Sequence, residues 1–362
     1  MITDHGVFED AFLPRRLLHR DQEVGQLSRG FHPIVDGDPA GDALISGPSG
    51  VGKTALARHT LDRLETTADV AYTHLRCLGM TDVDILAALL EAVPGGPATV
   101  DRDRFTDAVD LRHQLDDVLE QPFVAILDEA DSLPHTQAID HLATVRNLSL
   151  VVICHEPNDW LARVDRDHRQ RFGGEHHLSL ERYGVEELLD ILWIRAERGL
   201  PPDVITREQL RYIADQVAGV ARYGIQTVYA AAEIANERNH DVVRDVDVDD
   251  AFPRAQRRIR KANLLSLPFH HHLLYALIHD ADEIPAPDLH ARYDDIAEDC
   301  YYDRALKPIG QRSRRNKIQK LAEYGLIEWS GEHQHRRYRP VDDTIAPPIE
   351  LKRLANLPEL QE

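Results

Sequence analysis

Cysteine, lysine and long apolar runs are all scarce in this chain of 362 residues. Its three cysteines, Cys77, Cys154 and Cys300, lie far apart and form no CxxC pair, which argues against a disulfide framework and a zinc cluster. No apolar run approaches the roughly 18 residues of a membrane helix, and residues 1–10 are acidic where a signal peptide begins with positive charge. We therefore expect a cytoplasmic protein that contacts no membrane.

The basic residues are mostly arginine, because only six of the 42 are lysine, and 62 acidic residues leave a net charge of −20. Such a surface repels DNA unless the positive side chains are gathered in one place. An acidic, lysine-poor surface favours adaptation to high salt, where the screening length falls to about 3 Å near 1 M. The alternative is a GC-rich genome, whose codons favour arginine and aspartate.

Three folded regions and a tail are predicted along the chain. Residues 43–160 alternate short apolar runs with amphipathic stretches, which is typical of a parallel sheet covered by helices. Helical periodicity follows, and the chain closes with three helices and a hairpin (326–329 and 335–339), the pattern of a winged helix-turn-helix. The predicted boundaries are 1–178 for the α/β nucleotide-binding domain, 179–261 for an all-α lid, 262–345 for the winged helix, and 346–362 for the tail.

A phosphate-binding loop lies at 47–54, where GPSGVGKT matches G-x-x-x-x-G-K-[ST] between a predicted strand and a predicted helix. Glycines let backbone N–H groups turn inward around phosphate oxygens, and the helix N-terminus adds partial positive charge. Lys53 would contact the terminal phosphates of ATP, and the Thr54 hydroxyl would hold Mg²⁺. The predicted nucleotide-binding residues of this segment are Gly47, Gly50, Val51, Gly52, Lys53, Thr54, Ala55 and Leu56.

The apolar run at 123–127 ends in Asp128 and Glu129, at the carboxyl edge of the predicted sheet. Asp128 would hold the metal ion, and Glu129 would orient and deprotonate an attacking water. Together with the glycine-rich loop, this pair predicts an ATPase fold.

These motifs and the three-part layout resemble AAA+ ATPases, and among them the archaeal origin-recognition type of replication initiator, over roughly residues 12–339. The segment LLHRDxE at 17–23 is similar to the family's N-terminal segment near the adenine, and LDEAD at 127–131 to its Walker B motif. The resemblance implies that Tyr183 and Arg195 lie beside the nucleotide. It also implies that Arg222, in GVAR at 219–222, is the sensor 2 arginine that contacts the terminal phosphate.

Two positions depart from the family pattern. The family places a polar Asn after the fourth strand, where this chain has His155, with Asn158 displaced. The expected arginine finger falls on Asp167, with Arg166, Arg169 and Arg171 as neighbours. We therefore expect ATP binding with slow hydrolysis, in which His155 or Asn158 holds the attacking water.

Positive charge is gathered near the C-terminus, since residues 304–320 hold seven basic residues and no acidic one. We expect a recognition helix at about 311–324, with Ile318, Leu321 and Ala322 on its buried face and Lys320 among the outward residues. A basic hairpin would contact the neighbouring backbone, and metal binding by His270-His271-His272 or by His333 and His335 is not favoured. The predicted DNA-binding residues are Arg312, Arg314, Arg315, Asn316, Lys317, Gln319, Lys320, Arg336, Arg337 and Arg339.

The resemblance implies an initiator that binds double-stranded DNA at replication origins, associates with itself on DNA and recruits the replicative helicase, in the nucleoid. Two alternatives remain open. One is a winged-helix regulatory or signalling ATPase that acts at promoters, and the other is a transposition-type targeting ATPase without sequence preference.

Salt dependence separates the two explanations of the charge. If the acidic surface is an adaptation to brine, the melting temperature of the purified chain rises with KCl concentration, because screening relieves repulsion among carboxylates. Thermal melts across a KCl series measure this. A melting temperature that stays constant or falls as KCl is added would favour the codon-usage explanation.

Overall fold

The structure is a computed structural model, and it describes residues 1–66, 68, 70–105, 107–133, 136–302, 304, 306–332 and 335–351. Most of the predicted tail, residues 352–362, and His333 of the predicted histidine pair lie outside the described residues. The chain divides into two compact units, Met1–Phe252 and Pro253–Glu362. A continuous helix, α12 (Asp245–Leu265), includes the division.

The first unit contains a five-stranded parallel sheet, which confirms the predicted fold class. The strand order is β2-β3-β4-β1-β5, so the strands before the phosphate-binding loop and before Asp128 both lie next to β4. The last strand was not predicted, because three residues are too few for an alternating pattern. The strands are β1 (Ala43–Ser46), β2 (Ala71–Arg76), β3 (Phe123–Asp128), β4 (Leu148–Ile153) and β5 (His177–Ser179).

Successive side chains of the central strands enter two separate cores, one on each face of the sheet. Phe123, Ala125 and Leu127 of β3 pack with the helices at 82–92, 109–118 and 137–142, whereas Val124 and Ile126 pack with those at 21–30 and 53–65. A strand that is covered on both faces has no polar side to alternate with, so β3 and β4 are buried almost throughout.

Helices surround the sheet and then form the predicted all-α region, where the capping box of Thr206 and Gln209 begins α10. The helices of this unit are α1 (Asp21–Gly30), α2 (His32–Val35), α3 (Lys53–Glu65), α4 (Asp82–Ala92), α5 (Val109–Val118), α6 (Gln137–Leu142), α7 (Pro157–Arg163), α8 (Arg166–Arg169), α9 (Val185–Gly199), α10 (Arg207–Gln216) and α11 (Ala221–Glu237).

The second unit is a winged helix-turn-helix. Three helices are followed by an antiparallel hairpin. A short strand precedes the second helix and pairs with the second strand of the hairpin, on the side away from the first. Beyond α12, its elements are α13 (Phe269–Ala281), β6 (Ile284–Pro285), α14 (Ala286–Tyr301), α15 (Gln311–Glu323), β7 (Ile327–Ser330) and β8 (Arg337–Pro340).

Two features are absent from the described residues. None of their helices combines the length and the apolar character that crossing a membrane requires. Within the same residues, no cluster of three or more His, Cys, Asp or Glu side chains is arranged to hold a metal ion.

A buried carboxylate ties the sheet to the segment before β5. Asp42 is 3 % exposed, accepts a hydrogen bond from the Leu150 backbone N–H at 2.8 Å, and pairs with the Arg171 guanidinium at 2.5 Å. Burial raises the pKa of Asp42, and the positive charge of Arg171 opposes this rise. The carboxylate therefore joins two parts of the unit that are distant in sequence.

Replacing this carboxylate should cost stability. We expect Asp42→Ala to lower the free energy of unfolding by about 2–3 kcal/mol, because it leaves a buried N–H and a partly buried guanidinium without their acceptor. Urea denaturation followed by circular dichroism measures the change. Asp38→Ala, at an exposed carboxylate nearby, is the control with an expected change below about 0.5 kcal/mol. Equal effects of the two variants would contradict the role of Asp42.

Candidate functional site

The predicted phosphate-binding loop connects β1 to α3 and closely approaches the chain at two points. A Cβ at Gly47 would lie 2.2 Å from the carbonyl oxygen of Leu180, and one at Gly50 would lie 2.8 Å from the Val220 side chain. Both residues have positive φ, of 137° and 77°, so glycine is required on steric and conformational grounds. Val51 and Leu56 are fully buried in the core, which leaves only their backbone groups for a ligand.

Lys53 lies within the curve of this loop. Its ammonium group donates hydrogen bonds to the carbonyl oxygens of Gly47 at 2.7 Å and Pro48 at 2.8 Å, and lies 3.3 Å from Nδ1 of His155. Burial lowers the pKa of Lys53, and the negative charge of Asp128 partly offsets this effect. The structure thus brings together the lysine of the loop and the histidine at the expected sensor 1 position, whereas Asn158 is exposed on α7.

Thr54 and Asp128 form the predicted pair for a metal ion. The Thr54 hydroxyl donates a hydrogen bond to the Asp128 carboxylate at 2.6 Å, and Nε2 of His74 lies 3.1 Å from the same oxygen. Burial raises the pKa of Asp128, but hydrogen bonds from His74 and Thr54 outweigh burial and bring the pKa below its ordinary value. A hydroxyl beside an ionised carboxylate is a donor set that suits Mg²⁺.

Glu129 is held by a partner that the sequence did not indicate. Its carboxylate pairs with the Arg76 guanidinium at 2.6 Å, and its backbone has a φ of 56°. Arg76 and His74 both come from the end of β2, where Arg76 lies directly opposite Asp128 in the sheet. Pairing of β2 with β3 and the two-residue alternation along β2 would have indicated both side chains, had the strand order been known.

The all-α part of the first unit reaches the same loop. The backbone N–H of Arg222 donates to the Gly50 carbonyl at 3.2 Å, and the Arg222 guanidinium pairs with Asp10 at 2.6 Å. The hydroxyl of Tyr183 accepts a hydrogen bond from Nε of Arg20 at 3.1 Å and lies 3.6 Å from the Cβ position of Gly52. Arg222 therefore contacts the phosphate-binding loop through its backbone, while its guanidinium is bound by Asp10.

Arg195 contacts the N-terminal segment. It donates a hydrogen bond to the Val7 carbonyl at 2.5 Å, and its guanidinium lies 4.3 Å from the ring centroid of Phe12. Burial lowers its pKa to about 10. In the described residues no contact joins Arg195 to the phosphate-binding loop, so its predicted place beside the nucleotide stays a prediction.

The arginines near the expected finger position differ in their contacts. Arg169 donates to the carbonyl oxygens of Ala162 and Val164, and Arg171 pairs with Asp42. Arg166 is exposed at the start of α8. Among these three, Arg166 is the one whose guanidinium has no bond within the described part of the chain.

In the second unit, the exposed face of α15 carries four of the predicted DNA-binding residues. Their positions are related by three, four and seven residues, which is the spacing of one helix face. These residues, here named the α15 face, are Arg312, Arg315, Asn316 and Gln319.

Two of the predicted DNA-binding residues, Arg314 and Lys320, are buried in the structure. Arg314 is 4 % exposed, pairs with Asp294 at 2.7 Å and stacks on Tyr293. Lys320 was expected outward but is 6 % exposed, with its ammonium 3.5 Å from Glu323. Both side chains are buried together with their charged ends, which contact local partners instead of solvent. Lys317 is half-buried, and burial lowers its pKa.

The hairpin arginines all have local partners. Arg337 pairs with Glu283 at 3.0 Å, Arg339 pairs with Glu328 at 2.7 Å, and Arg336 lies over the ring of Trp329. DNA phosphates would have to compete with these carboxylates, so the hairpin offers less positive charge than its three arginines suggest.

Known proteins resemble the chain over nearly its whole length. The family model described as AAA ATPase domain matches residues 16–153, and the one described as Cdc6 AAA+ ATPase-type lid domain matches residues 189–253. ORC1-type DNA replication protein 9 of Halobacterium salinarum is 31 % identical over 356 residues, which cover 95 % of each chain. ORC1-type DNA replication protein 1 of the same organism is 30 % identical and covers 87 % of this chain and 100 % of its own.

Solved structures show the same fold. The Aeropyrum pernix ORC1 protein, solved in complex with DNA, has a TM-score of 0.72 at 23 % identity and covers 98 % of this chain and 96 % of its own. The Aeropyrum pernix ORC2 protein, solved as ADPNP-ADP complexes, has a TM-score of 0.63 at 24 % identity with the same coverage. These matches show the fold of the chain.

Removal of the loop lysine should abolish nucleotide binding. We expect Lys53→Ala to weaken ATP binding at least roughly a hundredfold, about 2.8 kcal/mol, because no other ammonium group is described within the loop. Titration calorimetry with ATP measures this, with Lys261→Ala on the exposed side of α12 as the control. Unchanged ATP affinity in Lys53→Ala would contradict this assignment.

Release of Glu129 should change hydrolysis. We expect Arg76→Ala to raise the basal ATPase rate several-fold, since the carboxylate oxygens bound by Arg76 become available to a water molecule. Steady-state phosphate release measures the rate, and Arg104→Ala, at an exposed arginine, is the matched control. A lower rate in Arg76→Ala would mean instead that Arg76 holds Glu129 in its productive orientation.

Proposed function

Because this chain belongs to the family of ORC1-type DNA replication proteins, we propose that it binds Mg-ATP and recognises duplex DNA at replication origins. We assign nucleotide binding to residues 1–178, the lid to 179–261 and DNA binding to 262–345. The replicative helicase, further copies of the chain on DNA and the nucleoid are the proposed partners and location. The fold supports the assignment of the domains, and the family resemblance alone suggests the partners and the location.

The nucleotide part of this proposal is supported by the convergence of three segments. Lys53 and the loop backbone would bind the phosphates, and Thr54 and Asp128 would hold Mg²⁺, which neutralises developing charge when bound. Arg222 lies against Gly50 and so could turn its guanidinium from Asp10 toward a terminal phosphate. Tyr183 borders the loop at Gly52.

Hydrolysis is proposed to be slow. The candidate base Glu129 is bound by Arg76, and His155, the candidate holder of the attacking water, contacts Lys53. Arg166 is the candidate finger, and it would act on the nucleotide of a second copy, since its side chain has no bond within its own described chain. A copy that lacks this neighbour would bind ATP and retain it.

The α15 face is the observation that carries the DNA part of the proposal. Two guanidiniums and two amides share one exposed face of a helix that occupies the recognition position of a winged helix. Arginine pairs with guanine, and Asn and Gln pair with adenine, in the major groove. An exposed basic face in a chain of charge −20 is a local exception to the overall repulsion of DNA.

Genome-wide mapping of the bound protein tests the origin assignment. We expect occupancy at repeats that flank an AT-rich segment and coincide with the start sites of replication. Occupancy confined to promoters, or spread without sequence preference, would instead favour the regulatory or the transposition-type ATPase.

The DNA-binding face is tested by substitution. We expect the double variant Arg312→Ala/Arg315→Ala to weaken origin-duplex binding at least roughly tenfold, about 1.4 kcal/mol, and to flatten its salt dependence. Fluorescence anisotropy at several salt concentrations measures both quantities. Arg292→Ala, whose side chain pairs with Asp280 on another helix, is the control, and equal affinities would remove α15 from the interface.

A further inference from the structure

A second basic site lies beside the later turns of α3. The segment at 15–17, α1 and these turns line an open pocket of about 410 Å³. Its volume falls in the range of small-molecule sites, about 300–1,000 Å³. The lining residues are Arg15, Arg16, Leu17, Asp21, Val24, His59 and Arg63.

The pocket is separate from the phosphate-binding loop. His59 and Arg63 follow Lys53 on the same helix by six and ten residues, or about 9 and 15 Å along its axis. The residues that line it include none from 47–54 and neither Tyr183 nor Arg222. A ligand here would therefore not contact the phosphate-binding loop, Tyr183 or Arg222, although Leu17 and Asp21 belong to the 17–23 segment that the resemblance places near the adenine.

The charge of the pocket is opposite to that of the chain. Three guanidiniums line it, and the one lining carboxylate, Asp21, pairs with Arg16 at 3.1 Å. The guanidiniums of Arg15 and Arg63 make no hydrogen bond or ion pair within the part of the chain that the structure describes. Two unpaired positive charges at one concave surface attract an anion even in a chain of charge −20.

The rest of the lining fixes the shape of the pocket. His59 is 4 % exposed, and its Nδ1 lies 3.2 Å from the carbonyl oxygen of Pro14, which anchors the segment that carries Arg15 and Arg16. Burial lowers the pKa of His59. Leu17 and Val24 pack against the core of this face and form an apolar floor. The arginines are thus attached to buried, well-packed elements.

We propose that this pocket binds a phosphate-bearing ligand, a nucleotide or a nucleotide unit of DNA, at a second anion site. A phosphate group offers three acceptor oxygens and up to two negative charges, which matches two unpaired guanidinium forks better than a carboxylate does. The apolar floor accommodates a sugar or base beside the phosphate. The shared chemistry is the phosphate, and its source is decided by experiment.

The test uses the full chain with Lys53→Ala, so that binding at the phosphate-binding loop does not mask the second site. Titration calorimetry with inorganic pyrophosphate and with deoxycytidine monophosphate probes a free nucleotide, and anisotropy with a duplex probes DNA. In this background, Arg15→Ala/Arg63→Ala is compared with Arg29→Ala, which removes an exposed arginine of α1 outside the pocket. Circular dichroism confirms the fold of each variant.

We expect the double variant to weaken pyrophosphate or mononucleotide binding at least roughly tenfold if the ligand is free, or duplex binding by a similar factor if the ligand is DNA. Arg63→Glu should weaken the same probe further, because it replaces attraction by repulsion. Equal affinities of the double variant and Arg29→Ala for all three probes would overturn the proposal, as would the absence of binding of any probe in the Lys53→Ala background. The comparison does not depend on origin recognition or on ATP hydrolysis.

Discussion

The order of three parallel strands is the constraint on which the nucleotide site depends. Since β4 lies between β3 and β1, the chain leaves all three strands at one edge of the sheet, and Asp128, His155 and the phosphate-binding loop meet there. Each of these residues is far from the others in sequence. Their proximity follows from burial of both faces of the sheet, because a strand in another position would expose one of the two apolar sets that now enter separate cores.

Local motifs predicted the part of the site that each strand carries by itself. The loop at 47–54, Asp128 and Glu129 follow directly from short apolar runs and their next residues. His74 and Arg76 could not be predicted in the same way, because their roles depend on the register of β2 against β3, a non-local property. For the helix α15, by contrast, a local pattern was sufficient. Arg314 precedes Ile318 by four residues and so shares its buried face, which helical spacing could have indicated, but its charge suggested the surface.

Many arginines of this chain already pair with a carboxylate, so an external anion would have to replace that partner. Arg337 and Arg339 of the hairpin each have a carboxylate partner, and so do Arg76, Arg171 and Arg222. The chain has 62 acidic residues against 42 basic ones, so carboxylate partners are plentiful. Arg312 and Arg315 of the α15 face and Arg15 and Arg63 of the pocket beside α3 have no such partner among the described residues, so an external anion would not have to displace one.

If Arg222 contacts a terminal phosphate as proposed, the Asp10 carboxylate is the anion that this phosphate must replace. Whenever Arg222 turns to a nucleotide, it exchanges one anion for another, and the net electrostatic gain is only the difference between the two partners. That exchange would leave Asp10 without its partner, while Val7 and Phe8 keep the N-terminal segment bound to α9 and α11 through Arg195 and Gln226. Under the role proposed for Arg222, discrimination between triphosphate and diphosphate would be a competition between the terminal phosphate and the Asp10 carboxylate.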